Sequence, residues 1–359
     1  MDFRLSDDQV QLQQAAAKAF ADSAAVARTR AAVDGEIDWD RTMWDEMRAF
    51  GLPAILVPER HGGLGLGMVE LALVAEQAGY AASAIPLFGH ALATTAILYG
   101  GDEAQQARWL PGLADGSLLA TVAIAEPGAR WQPGEWLTVS DGDALTGTKS
   151  AVPFGESADL LVVGIEGGRL AVVEAGARGL EVRAVESQDR TRPLAETGFS
   201  ATPAALLCGD MTASRRMMDA AGVLLAADAF GGASRIVEMT RDYTMLREAF
   251  GARLAAFQGV KHQLANMAVE VEPTRGLFWF SAYAFDRLPD RASHAAALAK
   301  AQTCEVYLQS ARMGAELHGG IAFTWEHDLH IWLKRAMFDF AWGGASEAYF
   351  QRAFDMAGL

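Results

Sequence analysis

Apolar and polar positions divide the chain into three textures. In the first, apolar residues recur every three or four positions, the period of helices that bury one face. Ser6 and Gln9 have capping-box spacing ahead of an alanine-rich helix that includes Phe20. Asp40 to Phe50 predicts a helix with Met43, Trp44, Met47 and Phe50 along one side. The run GLPAILVPERHGGLGLG, from Gly51 to Gly67, is a connection punctuated by glycine and proline. Helical spacing resumes over Val69–Tyr80, Ala91–Tyr99 and Glu103–Leu113. Near Ser117 the texture changes to short β-rich runs such as LLATVAIAE, ADLLVVGI and RLAVVEA, separated by Gly, Pro and Asp. From Thr212 the helical period returns and stays, and Ala220–Leu246, Gln258–Phe285, Ser293–Leu317 and Leu329–Met356 can form four long helices. The expected class is α+β: an all-α N-terminal domain (1–116), a small central β-barrel or sandwich (117–210) and a C-terminal four-helix bundle (211–359).

Composition narrows the function classes. At 359 residues the chain can bury a large core. Its formal net charge of −15 argues against nucleic acid or an anionic membrane surface as the default partner. Cys208 and Cys304 are isolated, as expected of a reduced, cytoplasmic protein. The start, MDFRLSDDQV, lacks the apolar segment of a signal peptide, and no apolar run approaches the length expected of a membrane span. The seven histidines form no H-x-x-x-H pattern or His/Cys cluster, so no metal site is expected. The GLGLG run at 63–67 follows no β-strand and reads as a loop rather than a nucleotide fingerprint.

The candidate chemistry centres on REAFGARLAAFQGVKHQLANM, from Arg247 to Met267. Arg247 and Phe250 sit one turn apart, Gly251 permits a bend, and Gln258 heads a new helical pattern. The residue types predict two helices joined by a short connection, with an arginine, an aromatic and an amide around it. Arginine offers a fixed fork of donors suited to phosphate, and glutamine adds two donors and an acceptor. A solvated arginine on a bundle helix has the same local pattern.

This stretch resembles the R-x-x-F-G-x-x-L-x-x-F-Q-x-V-K-H-x-L-A-x-M signature of the acyl-CoA dehydrogenase family. ELHGGIAFTWEHDLHIWLKRA, from Glu316 to Ala336, resembles the family's Q-x-H-G-G-x-G-F-T-x-E element, and Gly51–Gly65 resembles G-L-x-x-x-x-V-P-E-x-x-G-G-x-G. The resemblance covers essentially the whole chain. It implies FAD as cofactor, an acyl-CoA thioester as substrate and an electron-transfer flavoprotein as electron acceptor. A carboxylate removes the α-proton while the β-hydrogen leaves as hydride to the flavin.

By the same resemblance, Arg247, Phe250 and Gln258 reach the ADP part of a neighbouring subunit's FAD, and Gly319 and Gly320 allow close backbone approach. Glu316 stands where the family usually has glutamine, and His318, beside Gly319, is structural or ADP-facing rather than a metal ligand. The flavin-facing elements depart further. Ala125 replaces a threonine, and Ala151, Val152 and Pro153 stand for W-I-T, which removes two contacts by residue type. The family's two alternative positions for the catalytic glutamate hold Gly343, in AWGGASEA, and Ala221.

Asp228 lies two turns beyond Ala221, roughly 10 Å along the axis, and is the nearest carboxylate candidate. A paired or interface aspartate fits that position as well. Glu347 reads as a solvated helix residue and Glu326 as part of the pattern around the Gly–Gly turn. Groups given to a neighbour's flavin are kept, while those serving the chain's own flavin and proton abstraction are altered. The leading expectation is the base-lacking subunit of a heteromeric dehydrogenase, paired with a homologous subunit in a heterotetramer and acting on bulky CoA thioesters such as sterol side chains. The alternatives are a self-sufficient homo-oligomer using Asp228 and a non-catalytic acyl-CoA-binding or scaffold protein.

Overall fold

The computed structural model describes residues 4–21 and 23–358. The first three residues of the charged N-terminal stretch lie outside them. Helix α1 (Asp7–Phe20) begins at the capping box: Ser6 Oγ accepts from Gln9 N at 3.2 Å, and Gln9 Oε1 accepts from Ser6 N at 2.9 Å. It is followed by α2 (Ser23–Asp34) and α3 (Arg41–Ala49), where Asp40 caps Met43 N at 2.8 Å and Met43, Trp44 and Met47 are buried. Then come α4 (Met68–Tyr80), α5 (Leu87–Gly100) and α6 (Glu103–Ala114).

The strands are β1 (Ala120–Ala123), β2 (Val139–Asp141), β3 (Ala144–Pro153), β4 (Leu160–Ile165), β5 (Arg169–Glu174), β6 (Leu180–Val185), β7 (Leu194–Pro203) and β8 (Ala205–Leu206). They form two four-stranded sheets, ordered β1-β4-β5-β8 and β2-β3-β7-β6. Only the β1/β4 pair is parallel among these. Leu145, Val152 and Phe199 from one sheet share a core with Leu161, Val163 and Val173 from the other, a sandwich. The unbroken LLVVGI of β4 is buried throughout, with α5 against its sheet as well as the facing sheet.

The C-terminal region contains α7 (Met211–Leu246), the short hairpin β9 (Glu248–Ala249) and β10 (Ala252–Arg253), then α8 (Gln258–Val271), α9 (Thr274–Arg287), α10 (Pro289–His318), α11 (Leu329–Ala341) and α12 (Ser346–Ala357). This is the expected helical bundle, with two of its four expected helices broken. Pro273 ends α8, because its ring removes an N–H and crowds the preceding turn. Gly343 and Gly344, at φ 78° and 114°, separate α11 from α12.

The chain divides into two compact units. One comprises Asp34–Leu71 and Ala84–Ala221, and holds α3, α5, α6 and both four-stranded sheets. The other comprises the chain to Val33, Ala72–Ser83 and Gly222 onward. In the second unit α10 lies at the centre, touching α8, α9, α11 and α12. There α4 and α7 approach backbone to backbone: a Cβ at Gly79 would stand 2.1 Å from Asp228 O, and one at Gly231 1.9 Å from Glu76 O. By length and hydropathy α7, with 36 residues, is sufficient to cross a membrane, which corrects the expectation that no such run exists. Its most apolar window is 83% buried within the protein, as in a core helix.

Candidate functional site

The bend after α7 is a two-residue hairpin turn rather than a plain helix connection. Arg253 pairs with Glu248 and Ala252 with Ala249, leaving Phe250 and Gly251 at the tip with φ of 53° and 78°. Two left-handed residues give the turn the twist that suits a hairpin. Arg247 N still donates to Tyr243 O at 2.8 Å, and Leu254 N donates to Arg247 O at 2.9 Å, so both ends of the bend are anchored. The Arg247 and Gln258 side chains are exposed and have no polar partner among the described residues. Phe250 is 98% exposed, and its ring meets the edge of Phe257, 6.5 Å between ring centres. Gln258 opens α8, whose N-cap residue Phe257 makes no side-chain cap, so first-turn N–H groups face outward with the positive end of the helix.

The second motif ends α10. Gly319 N donates to Ala315 O and Glu316 O, and Gly319 takes φ 67°, which glycine accepts without strain. A Cβ built at Gly319 or Gly320 meets nothing within 4 Å, so this backbone stands open. Glu316 is exposed on the last turn.

The two motifs meet through His318. Its ring stacks on Tyr243 at 4.3 Å, the Tyr243 hydroxyl donates to His318 O at 3.2 Å, and His327 lies edge-on at 4.7 Å. His318 Nδ1 is 2.7 Å from Gly314 O, which assigns the proton to Nδ1. Burial holds the His318 imidazole below its ordinary pKa despite that carbonyl, and burial lowers His327 too. Neutral rings keep this stack from bringing positive charge under the glycines. Tyr243 escaped the sequence reading; its one signal was its place one turn before Arg247. The assembled groups, a guanidinium, an amide, open N–H groups and bare glycine backbone, fit the pyrophosphate and adenosine part of a dinucleotide. Glu316 at the end of α10 and Glu248 in the hairpin are charges of the wrong sign.

The other unit holds the elements that the resemblance places at the flavin ring. Ser150 N donates to Ala125 O at 2.9 Å, which ties the two elements together. Beside them Glu126 Oε1 accepts from Lys149 Nζ at 2.6 Å and from Thr138 N at 2.9 Å, while Oε2 accepts from Leu137 N at 2.7 Å. Burial pushes Lys149 down to about 8, opposed by Glu126. Burial also works to raise Glu126, but its hydrogen bonds from Lys149, Thr138 and Leu137 outweigh this and leave it lowered. Ala125 and Val152 are buried, and neither they nor Pro153 offers a side-chain hydroxyl.

No carboxylate occupies either expected base position. Ala221 is fully buried, and Gly343 sits in the left-handed turn between α11 and α12. Asp228 is buried against Arg335, whose Nε and Nη2 reach Oδ2 at 2.9 Å and Oδ1 at 2.6 Å. Arg335 Nη1 also donates to Ser83 O at 3.0 Å. Both Asp228 oxygens are therefore held in a bidentate pair, the arrangement of a structural carboxylate rather than one facing a substrate. Glu347 and Glu326 are exposed. Among the described residues no group of three His, Cys, Asp or Glu could hold a metal ion.

Comparison with known proteins places the chain in a family. The family model for the acyl-CoA dehydrogenase N-terminal domain matches residues 6–117, and that for the acyl-CoA dehydrogenase C-terminal domain matches residues 211–353. Acyl-CoA dehydrogenase IpdE2 of Mycobacterium tuberculosis is 29% identical over 92% of this chain and 91% of its own length. Acyl-CoA dehydrogenase FadE12 of the same species is 30% identical over 82% of each. Among solved structures, the Tcur3481-Tcur3483 steroid ACAD superposes with a TM-score of 0.90 at 33% identity, covering 98% of both chains.

Proposed function

The chain belongs to the acyl-CoA dehydrogenase family, and on that premise we propose that it is the base-lacking subunit of a heteromeric acyl-CoA dehydrogenase, completing the FAD site of a homologous partner. The cofactor is FAD, which supplies the hydride acceptor when bound. In this reading Arg247 and Gln258 bind the ADP part from across the subunit boundary, with Phe250 against it and the Gly319–Gly320 backbone close by. Tyr243 and His318 hold those two elements in register. The partner contributes the carboxylate that takes the α-proton. In this reading the family's three sequence domains run over 1–116, 117–210 and 211–359, across the two compact units.

One observation carries the proposal: the Arg247 and Gln258 side chains have no polar partner among the described residues, while the candidate carboxylate Asp228 is fully engaged by Arg335. Phe250, exposed and left-handed, costs this chain about 1 kcal/mol that nothing among the described residues offsets. The relative whose name joins two polypeptides, Tcur3481 and Tcur3483, supports a two-chain enzyme and a steroid-derived acyl-CoA substrate. An electron-transfer flavoprotein as acceptor and a cytoplasmic location complete the reading. Replacing Arg247 with Ala tests it. The variant is expected to co-purify with its partner but to retain less than about a tenth of the FAD, from the loss of a charged contact to phosphate. Full FAD retention would remove Arg247 from the cofactor site.

A further inference from the structure

The turn between α11 and α12 is where the resemblance places a base, and its shape is tightly set. Gly343 and Gly344 both have positive φ. A Cβ built on Gly343 would stand 2.7 Å from the Tyr349 hydroxyl oxygen, nearer than carbon and oxygen come in van der Waals contact. The ring atoms Cζ and Cε2 would lie at 3.7 and 3.9 Å, an ordinary separation. The obstruction is one oxygen atom.

That oxygen is not free to swing aside. Tyr349 is buried and packs with Ala297, Ala301 and Ala353 between α10 and α12. Lys300 Nζ lies 4.7 Å from the centre of its ring, and Arg352 Cζ lies 5.0 Å from it. Nor is the turn free to retreat. Lys300, fully buried on α10, donates to Phe340 O at 2.8 Å and also to Gly344 O, so one ammonium clasps carbonyls on both sides of Gly343. Gly344 N closes the turn on Ala341 O at 3.1 Å.

We propose that Tyr349 closes position 343 to any side chain, with Lys300 as the clasp that keeps the turn against it. The inference rests on the reading of this chain as the base-lacking subunit and gives that reading a structural cause. A glutamate introduced at 343 alone finds no room for its first side-chain carbon, so the base cannot return there by one substitution.

The test is a cycle of thermal unfolding on the full chain, co-purified with its partner if needed: wild type, Gly343→Ala, Tyr349→Phe and the double variant. Gly343→Ala is expected to lower the melting temperature by about 3 °C or more. In the Tyr349→Phe background the same substitution loses less than half as much, because the obstructing oxygen is gone and only the backbone conformation opposes alanine. An equal drop in both backgrounds would overturn the proposal. If Gly343→Ala yields no soluble protein, recovery is compared instead. The double variant then comes back soluble, or the proposal falls. Failure of the base-lacking reading shows differently, as bleaching of flavin by an acyl-CoA in the wild-type chain purified alone.

Discussion

His90 sits fully buried between Leu113 O, 3.1 Å from Nε2, and Ala120 N, which donates to Nδ1 at 3.4 Å, with Trp44 edge-on at 5.3 Å. One neutral tautomer satisfies both contacts; a protonated ring would leave a charge without an acceptor at Nδ1. Burial accordingly pushes its pKa down from 6.5 to about 4, against the pull of the Leu113 carbonyl. Between those values the unfolded chain binds a proton that the folded chain refuses. Stability from this group is therefore complete above pH 6.5 and lost as pH falls toward 4, roughly 3 kcal/mol in all. His90→Gln is expected to flatten the melting temperature against pH over that window, and an unchanged slope would contradict the assignment. The residues bearing on function were unequally legible in the sequence. Arg247, Phe250 and Gln258 stand together in one run, where the resemblance to the family signature singled them out. The fate of Asp228 was hidden because Arg335 lies 107 positions away, and an aspartate on an apolar helix carries no mark of its partner.

Elements were legible where periodicity ran long. The capped start of α1, the apolar face of α3 and the order of helices, sandwich and bundle all follow from pattern. Two-residue strands have no alternation to read, so the β9–β10 hairpin surfaced only as a bend. Yet that hairpin decides how Phe250 is presented. A glycine there would take φ 53° without strain, and the free chain loses almost no burial because the side chain is exposed. Phe250→Gly is expected to leave the melting temperature of the isolated chain unchanged or raise it slightly. The same change lowers FAD retention by the two-subunit complex. A destabilised isolated chain with full FAD retention would mean that Phe250 serves this fold and not a neighbour's cofactor.

Across the whole molecule, retention and loss fall on different jobs. The groups suited to a neighbour's ADP moiety are exposed and uncommitted at the end of α7 and the start of α8. The positions that the family resemblance places at the chain's own flavin ring carry no hydroxyl, and those it assigns to the base hold Ala221 and Gly343. The account is tested most directly by the flavin absorbance of this chain purified alone and again after co-expression with a homologous acyl-CoA dehydrogenase subunit. It predicts a colourless chain alone and a yellow complex whose flavin is bleached by an acyl-CoA. About one FAD per chain when purified alone, bleached by an acyl-CoA without any partner, would contradict it.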